Sequence, residues 1–199
     1  MHVVTHLLAG WNLAAASGQT RRDLALVAWA GVLPDLDGIG LVVDVATKRL
    51  GLPETEFYAW HHVYGHGLPA AVAIAALAAL VAVRRRRTAL LAFLAANLHL
   101  ACDLLGSRGA RPEDVWEISY LSPFSDALLL TWSGQWPVVS WQNTAFSGAL
   151  LGLAVLVTAW RGVSPVGLVS GRADRAVARA LRARWASLRG GRGAGAGSP

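Results

Sequence analysis

The chain of 199 residues is long enough for one domain, and 54% of it is hydrophobic, above the roughly 45–50% usual for soluble globular domains. Its net charge of +6 comes almost wholly from arginine, Lys48 being the only lysine, and the arginines gather in separate patches, which argues against a continuous nucleic-acid groove. Cys102 is the only cysteine, so an intramolecular disulfide and a thiolate zinc site are both excluded, and any metal must be held by nitrogen and oxygen.

Along the chain, residues 3–16 and 24–33 are apolar and helix-compatible but only ten to fourteen residues long, which suits buried or half-inserted helices as well as full spans. The first run is broken by His6 and Asn12 and has no basic start, and residues 14–16 make a poor peptidase site, so the mature protein is expected to begin at Met1. Residues 68–83 read as a span stopped by Arg84–Arg87, and residues 145–160 as a second stopped by Arg161. Residues 88–105 form a third, interrupted only by Asn97, His99, Cys102 and Asp103. Between 106 and 143 the chain turns mixed and aromatic, as expected of an interfacial loop, and its Glu113, Asp114, Glu117 and Asp126 read as solvated carboxylates. Residues 172–189 alternate arginine with Ala173, Val177, Leu181, Trp185 and Leu188 at helical spacing, the pattern of a basic interfacial helix that lies on anionic lipid. The Gly-rich residues 190–199 are expected to be disordered. The predicted fold is therefore all-α: an integral-membrane bundle of four to five short helices over residues 1–165, followed by a basic amphipathic helix and tail over 166–199.

Five of the six histidines fall, with three aspartates, into short clusters: His6; Asp35 and Asp37; His61, His62 and His66; His99 and Asp103. Unpaired polar groups near hydrocarbon cost several kcal/mol each, so that many imidazoles and carboxylates must pair or coordinate something. Basic residues favour the cytoplasmic side, and Arg21 with Arg22, Arg84–Arg87 and Arg161 with the tail then mark three inside loops. Threading the helices between those loops brings every candidate ligand to the opposite, extracytoplasmic face of a bacterial-type inner membrane, although they span nearly a hundred positions.

Local spacing points the same way. His99 and Asp103 lie four apart on a helix and share a face, whereas His61 and His66 converge only if the third helix begins near Gly65, leaving His61 in the preceding loop. Pro34 and Gly38 bracket Asp35 and Asp37 and predict a helix end with both carboxylates in a tight turn. Imidazole with carboxylate favours zinc or another transition divalent ion, and the seven candidates His6, Asp35, Asp37, His61, His66, His99 and Asp103 allow one or two ions. Asp35 or Asp37 could act as general base, and His62 as ligand, orienting group or contact to a substrate anion.

At these residues the sequence resembles the bacterial family of predicted membrane-bound metal-dependent hydrolases. The shared order is Thr5-His6, Pro34-Asp35-Leu36-Asp37, the His61 to Gly67 segment, His99 with Asp103, and Ser122-Pro123-Phe124. The likeness covers roughly residues 1–130 and departs at His62, Gly65 and Gly67, where the family has Arg, Thr and Ser. It implies hydrolysis. A remoter likeness to zinc-dependent phospholipase C sites suggests a phosphoester substrate, including phospholipid. A metal transporter and a membrane scaffold with a purely structural metal remain alternatives on the residues alone.

Overall fold

The computed structural model of the chain describes residues 1–51, 61 and 63–190, the last three by their backbone alone; His62 and the Gly-rich end therefore lie outside the described residues. The chain is an all-α membrane bundle. Its helices are α1 (Val3–Ala16), α2 (Arg21–Ala30), α3 (Gly40–Arg49), α4 (Leu68–Val81), α5 (Arg85–Gly106), α6 (Trp141–Arg161) and α7 (Gly171–Gly190). A 3-10 helix, Leu33–Ile39, joins α2 to α3, and a second, Pro165–Leu168, joins α6 to α7. The loop after α5 carries one two-stranded antiparallel ribbon, β1 (Ile118–Ser119) with β2 (Leu129–Leu130).

α5 and α6 are each long and apolar enough to cross a membrane, and α2 with the segment Leu33–Arg49 makes a third candidate span bent by 49°. α1 and α4 are shorter apolar helices. The run expected to span over 68–83 is thus a helix of 14 residues, rising about 21 Å against a hydrocarbon core of about 30 Å. Its end is set from far away. The buried Asp23 on α2 accepts the backbone N–H groups of Val83 (2.8 Å) and Arg84 (3.1 Å), which pulls the chain out of the helix after Val81. Conversely, α6 starts earlier than expected, because the Ser140 hydroxyl caps it by accepting the N–H of Asn143. The turn around Pro34 and Gly38 does not end the helical path; it tightens to 3-10 geometry and continues into α3, where Leu41, Val42 and Val45 stay exposed.

The core lies where α1, α2, α4, α5 and α6 meet, around the fully buried Trp11, Val27, Ala28, Ala92 and Ala95. Alanines dominate because short side chains let helices approach closely where lipid supplies no hydrophobic drive for association. Two ends follow from the up-and-down path. At one, Arg87 donates to the Ser17 carbonyl, Arg161 to those of Ala15 (3.2 Å) and Ala16 (2.6 Å), and Arg182 to those of Ala159 (3.3 Å) and Trp160 (3.1 Å). These carbonyls lie at or just past helix C-termini, where free oxygens and the negative end of the dipole favour a cation. At the other end α1 begins, α2 and α5 finish, and the aromatic loop folds over them, exposing Phe124, Trp132 and Trp141 at an interfacial level.

Candidate metal centre

The second end gathers the histidines and aspartates. α5 contributes His99 and Asp103 one turn apart, α1 contributes His6, the 3-10 helix contributes Asp35 and Asp37, and the loop before α4 contributes His61 and His66. His6, His66, His99 and Asp103 are almost fully buried; the Asp35 side chain is 22% exposed.

Two imidazoles are oriented by their Nδ1 atoms. His99 Nδ1–H donates to the carbonyl of Gly31 at 2.9 Å, and because a carbonyl only accepts, Nε2 is left with its lone pair. His66 Nδ1 lies 2.9 Å from Asp37 Oδ2, a carboxylate that likewise fixes the proton on Nδ1. The two Nε2 atoms then face each other at 3.1 Å. Two lone pairs at that distance repel unless a proton or a metal ion lies between them. Asp103 Oδ2 is 3.0 Å from His99 Nε2 and 3.6 Å from His66 Nε2, while Asp35 Oδ1 is 3.5 Å and 3.8 Å from the same atoms. Four ligand atoms about 2.0–2.1 Å from a tetrahedral ion are about 3.3–3.4 Å apart, so these five distances need adjustments of only a few tenths of an ångström.

The surrounding polar groups are unequally satisfied. Both His6 nitrogens, Asp35 Oδ2 and Asp103 Oδ2 are buried without a hydrogen-bond partner, although His6 Nε2 comes within 3.3 Å of Asp103 Oδ1 and its ring stacks on His99 at 3.7 Å. Such orphaned atoms are rare in folded proteins and converge here on one point. The amino group of Met1 pairs with Asp103 Oδ1 and donates to Ser107 Oγ at 2.6 Å, and Ser107 in turn donates to Asp103 Oδ1 at 2.7 Å. Burial alone would push the His66 imidazole down, but the carboxylates of Asp103 and Asp37 outweigh it and hold it up at about 9. The cluster favours a positive charge at His66.

Two groups have a geometry that could hold an ion: His6, Asp35, His99 and Asp103, whose ligand atoms all lie within 4.8 Å of one another, and Asp37, His61 and His66. The second is already knitted together internally. Asp37 Oδ1 is 2.9 Å from His61 Nδ1, and its Oδ2 also accepts the N–H of Gly65 at 3.0 Å. Asp37 thus bridges two imidazoles and a backbone amide, and His61 is flanked edge-on by Trp116 at 5.5 Å. His66 reaches the first group through its other nitrogen and joins the two.

All seven candidate ligands that the sequence singles out are therefore neighbours, with His61 in the loop as expected; α4, however, starts at Leu68, beyond Gly65. His62 lies outside the described residues, and Glu113, Asp114, Glu117 and Asp126 are exposed on the loop. Sequence reasoning missed the supports: the Gly31 carbonyl, the Gly65 amide, Trp116 and Ser107. Two of these are backbone groups. Gly65 must lack a side chain, since a Cβ there would run into the Pro34 carbonyl and crowd Asp37 Oδ2, which ties the His66 loop to the 3-10 helix. A Cβ at Gly31 would sit 2.9 Å from the His6 carbonyl, so glycine keeps α1 close enough for His6 to stack on His99.

Helices of membrane length with a buried His/Asp cluster at one end define an integral-membrane protein with a candidate metal centre. A family model described as YdjM inner membrane protein matches residues 1–181, and the chain belongs to that family. No curated protein and no solved structure matches the chain.

Proposed function

We propose that the protein is a membrane-embedded metal-dependent hydrolase of phosphoesters, lipid-linked ones included. The observation that carries the reading is the facing pair of Nε2 atoms, His66 and His99, with oxygens of Asp35 and Asp103 beside them at 3.0–3.8 Å. These four would hold one divalent ion, for which imidazole with carboxylate favours zinc. The chemistry such an ion supplies when bound is Lewis acidity, toward water and toward a phosphoryl oxygen.

The chain's own residues do the rest. Asp37 fixes the tautomer and orientation of His66, and the Gly31 carbonyl does the same for His99. Asp35 is the most exposed of the four and keeps one oxygen unpartnered, which suits it to accept a proton from an incoming water. His6, with both nitrogens unpartnered, completes the shell or shares that role. Hydrolysis itself is supported by the order of the Thr5-His6, Asp35/Asp37, His61/His66 and His99/Asp103 motifs. The arginines at the far end favour an extracytoplasmic metal site and a cytoplasmic C-terminus.

Transport of the ion is the weaker reading. A transport path needs polar groups through the middle, and the layer between the two ends is built on Trp11, Val27, Ala28, Ala92 and Ala95, all buried and apolar. The test is a panel of phosphomonoesters, phosphodiesters and phospholipids offered to detergent-purified protein with zinc. Turnover that falls at least about a hundredfold in Asp35→Asn is the expected result. Stoichiometric metal with no turnover on any class would overturn the hydrolase reading in favour of a structural or transported ion.

A further inference from the structure

The arginine end carries a concavity of its own, unrelated to the metal centre. Where α7 turns back against α6, two unlike hollows adjoin. One is an apolar crevice of about 650 Å³ lined by Leu153, Leu156, Val157, Trp160 and Trp185. The other, about 200 Å³, is lined by Gly162, Arg175, Ala178, Arg179 and Arg182. Arg182 connects them: its guanidinium lines the basic hollow and donates to the carbonyls of Ala159 and Trp160, both of which line the crevice.

The local sequence builds this junction. Gly162 ends α6 at φ +74°, a left-handed conformation open to glycine, and a Cβ there would strike the Arg182 guanidinium. Arg175, Arg179 and Arg182 recur at four and three residues and share a face of α7, where Arg179 Nε donates to the Arg175 carbonyl at 3.2 Å. Among the described residues no carboxylate lies within ion-pair distance of these three; the nearby Asp174 is buried and pairs instead with Arg21 at 2.7 Å and with Ser164. Three guanidinium groups with no anionic partner, set beside an apolar crevice that ends on the interfacial Trp160 and Trp185, match a molecule with a phosphate at one end and a hydrocarbon chain at the other. A free phosphate would leave the crevice unused, and a neutral lipid would leave the arginines unpaired.

We propose that the α6–α7 junction is a binding site for an anionic phospholipid, with the phosphate among Arg175, Arg179 and Arg182 and one acyl chain in the crevice of Leu153, Leu156, Trp160 and Trp185. The site is independent of the metal centre and stands or falls separately from the hydrolase reading.

The test is native mass spectrometry of the delipidated full chain offered equimolar phosphatidylglycerol and phosphatidylcholine of identical acyl composition. Wild type retains the phosphatidylglycerol adduct about tenfold or more over phosphatidylcholine. Arg175→Gln/Arg179→Gln, which among the described residues removes no hydrogen bond or ion pair to another helix, brings that ratio close to one. Leu156→Trp, which fills the crevice, lowers retention of both lipids. Equal retention of the two lipids by wild type, or an unchanged ratio in the double variant, overturns the proposal. So does full displacement of phosphatidylglycerol by millimolar inorganic phosphate, the mark of an anion hollow that takes no chain.

Discussion

The two ends of the bundle treat buried charge in opposite ways. At the arginine end, Asp23 has both oxygens occupied by the amides of Val83 and Arg84, and Asp174 is matched by Ser164 and Arg21. At the histidine end, four atoms of His6, Asp35 and Asp103 have no partner, and two imidazole nitrogens face each other at 3.1 Å. Both ends bury carboxylates, so burial alone does not mark a site. What separates them is whether the buried carboxylates are satisfied within the chain. A closed hydrogen-bond arrangement locks helices in place; a convergent, incomplete one has a geometry that could hold a cation.

Substitutions can break this contrast, most strongly at the ligands. Replacing His99 by Ala removes a ligand and the group that faces His66, and bound zinc in purified protein should fall from one ion per chain to near none by elemental analysis, with affinity down at least about a thousandfold. Replacing Asp37 by Asn leaves the ligand count intact but loosens His66; competition with a chelating dye should read a loss of about ten- to a hundredfold in affinity, with stoichiometry kept at saturation.

Acidity tests the same end. A metal ion must displace the proton that the carboxylates of Asp103 and Asp37 stabilise on His66, so zinc affinity should rise with pH, by up to about tenfold per unit, and level off near pH 9. In the metal-free protein the sign reverses. The raised pKa of His66 contributes stability that is fully present below about pH 6.5 and is lost as pH rises through about 9, which thermal unfolding across that window would detect. Asp23→Ala belongs to the other end and should leave zinc affinity unchanged. It strands two backbone amides, and unfolding in detergent should register a loss of about 2–5 kcal/mol.

The same contrast explains what the sequence disclosed. Ligand types, the four-residue step from His99 to Asp103, and the alternation of arginine patches with His/Asp clusters were enough to anticipate one shared end. Side chains carry that signal. The orienting groups were invisible because a carbonyl at Gly31 and an amide at Gly65 exist at almost every position, and only folding aims them. α3 was missed because its exposed Leu41, Val42 and Val45 are mixed with Asp44, Lys48 and Arg49, which blurs both the apolar run and the helical period. The early end of α4 was illegible for a different reason: Asp23, which sets it, lies sixty residues upstream.

X-ray absorption at the metal edge of zinc-loaded, detergent-purified protein tests the central claim most directly. The account predicts a first shell of mixed nitrogen and oxygen at about 2.0–2.1 Å with the outer-ring scattering of two imidazoles, from His66 and His99. A shell of oxygen alone, or zinc that never reaches one ion per chain, would contradict it.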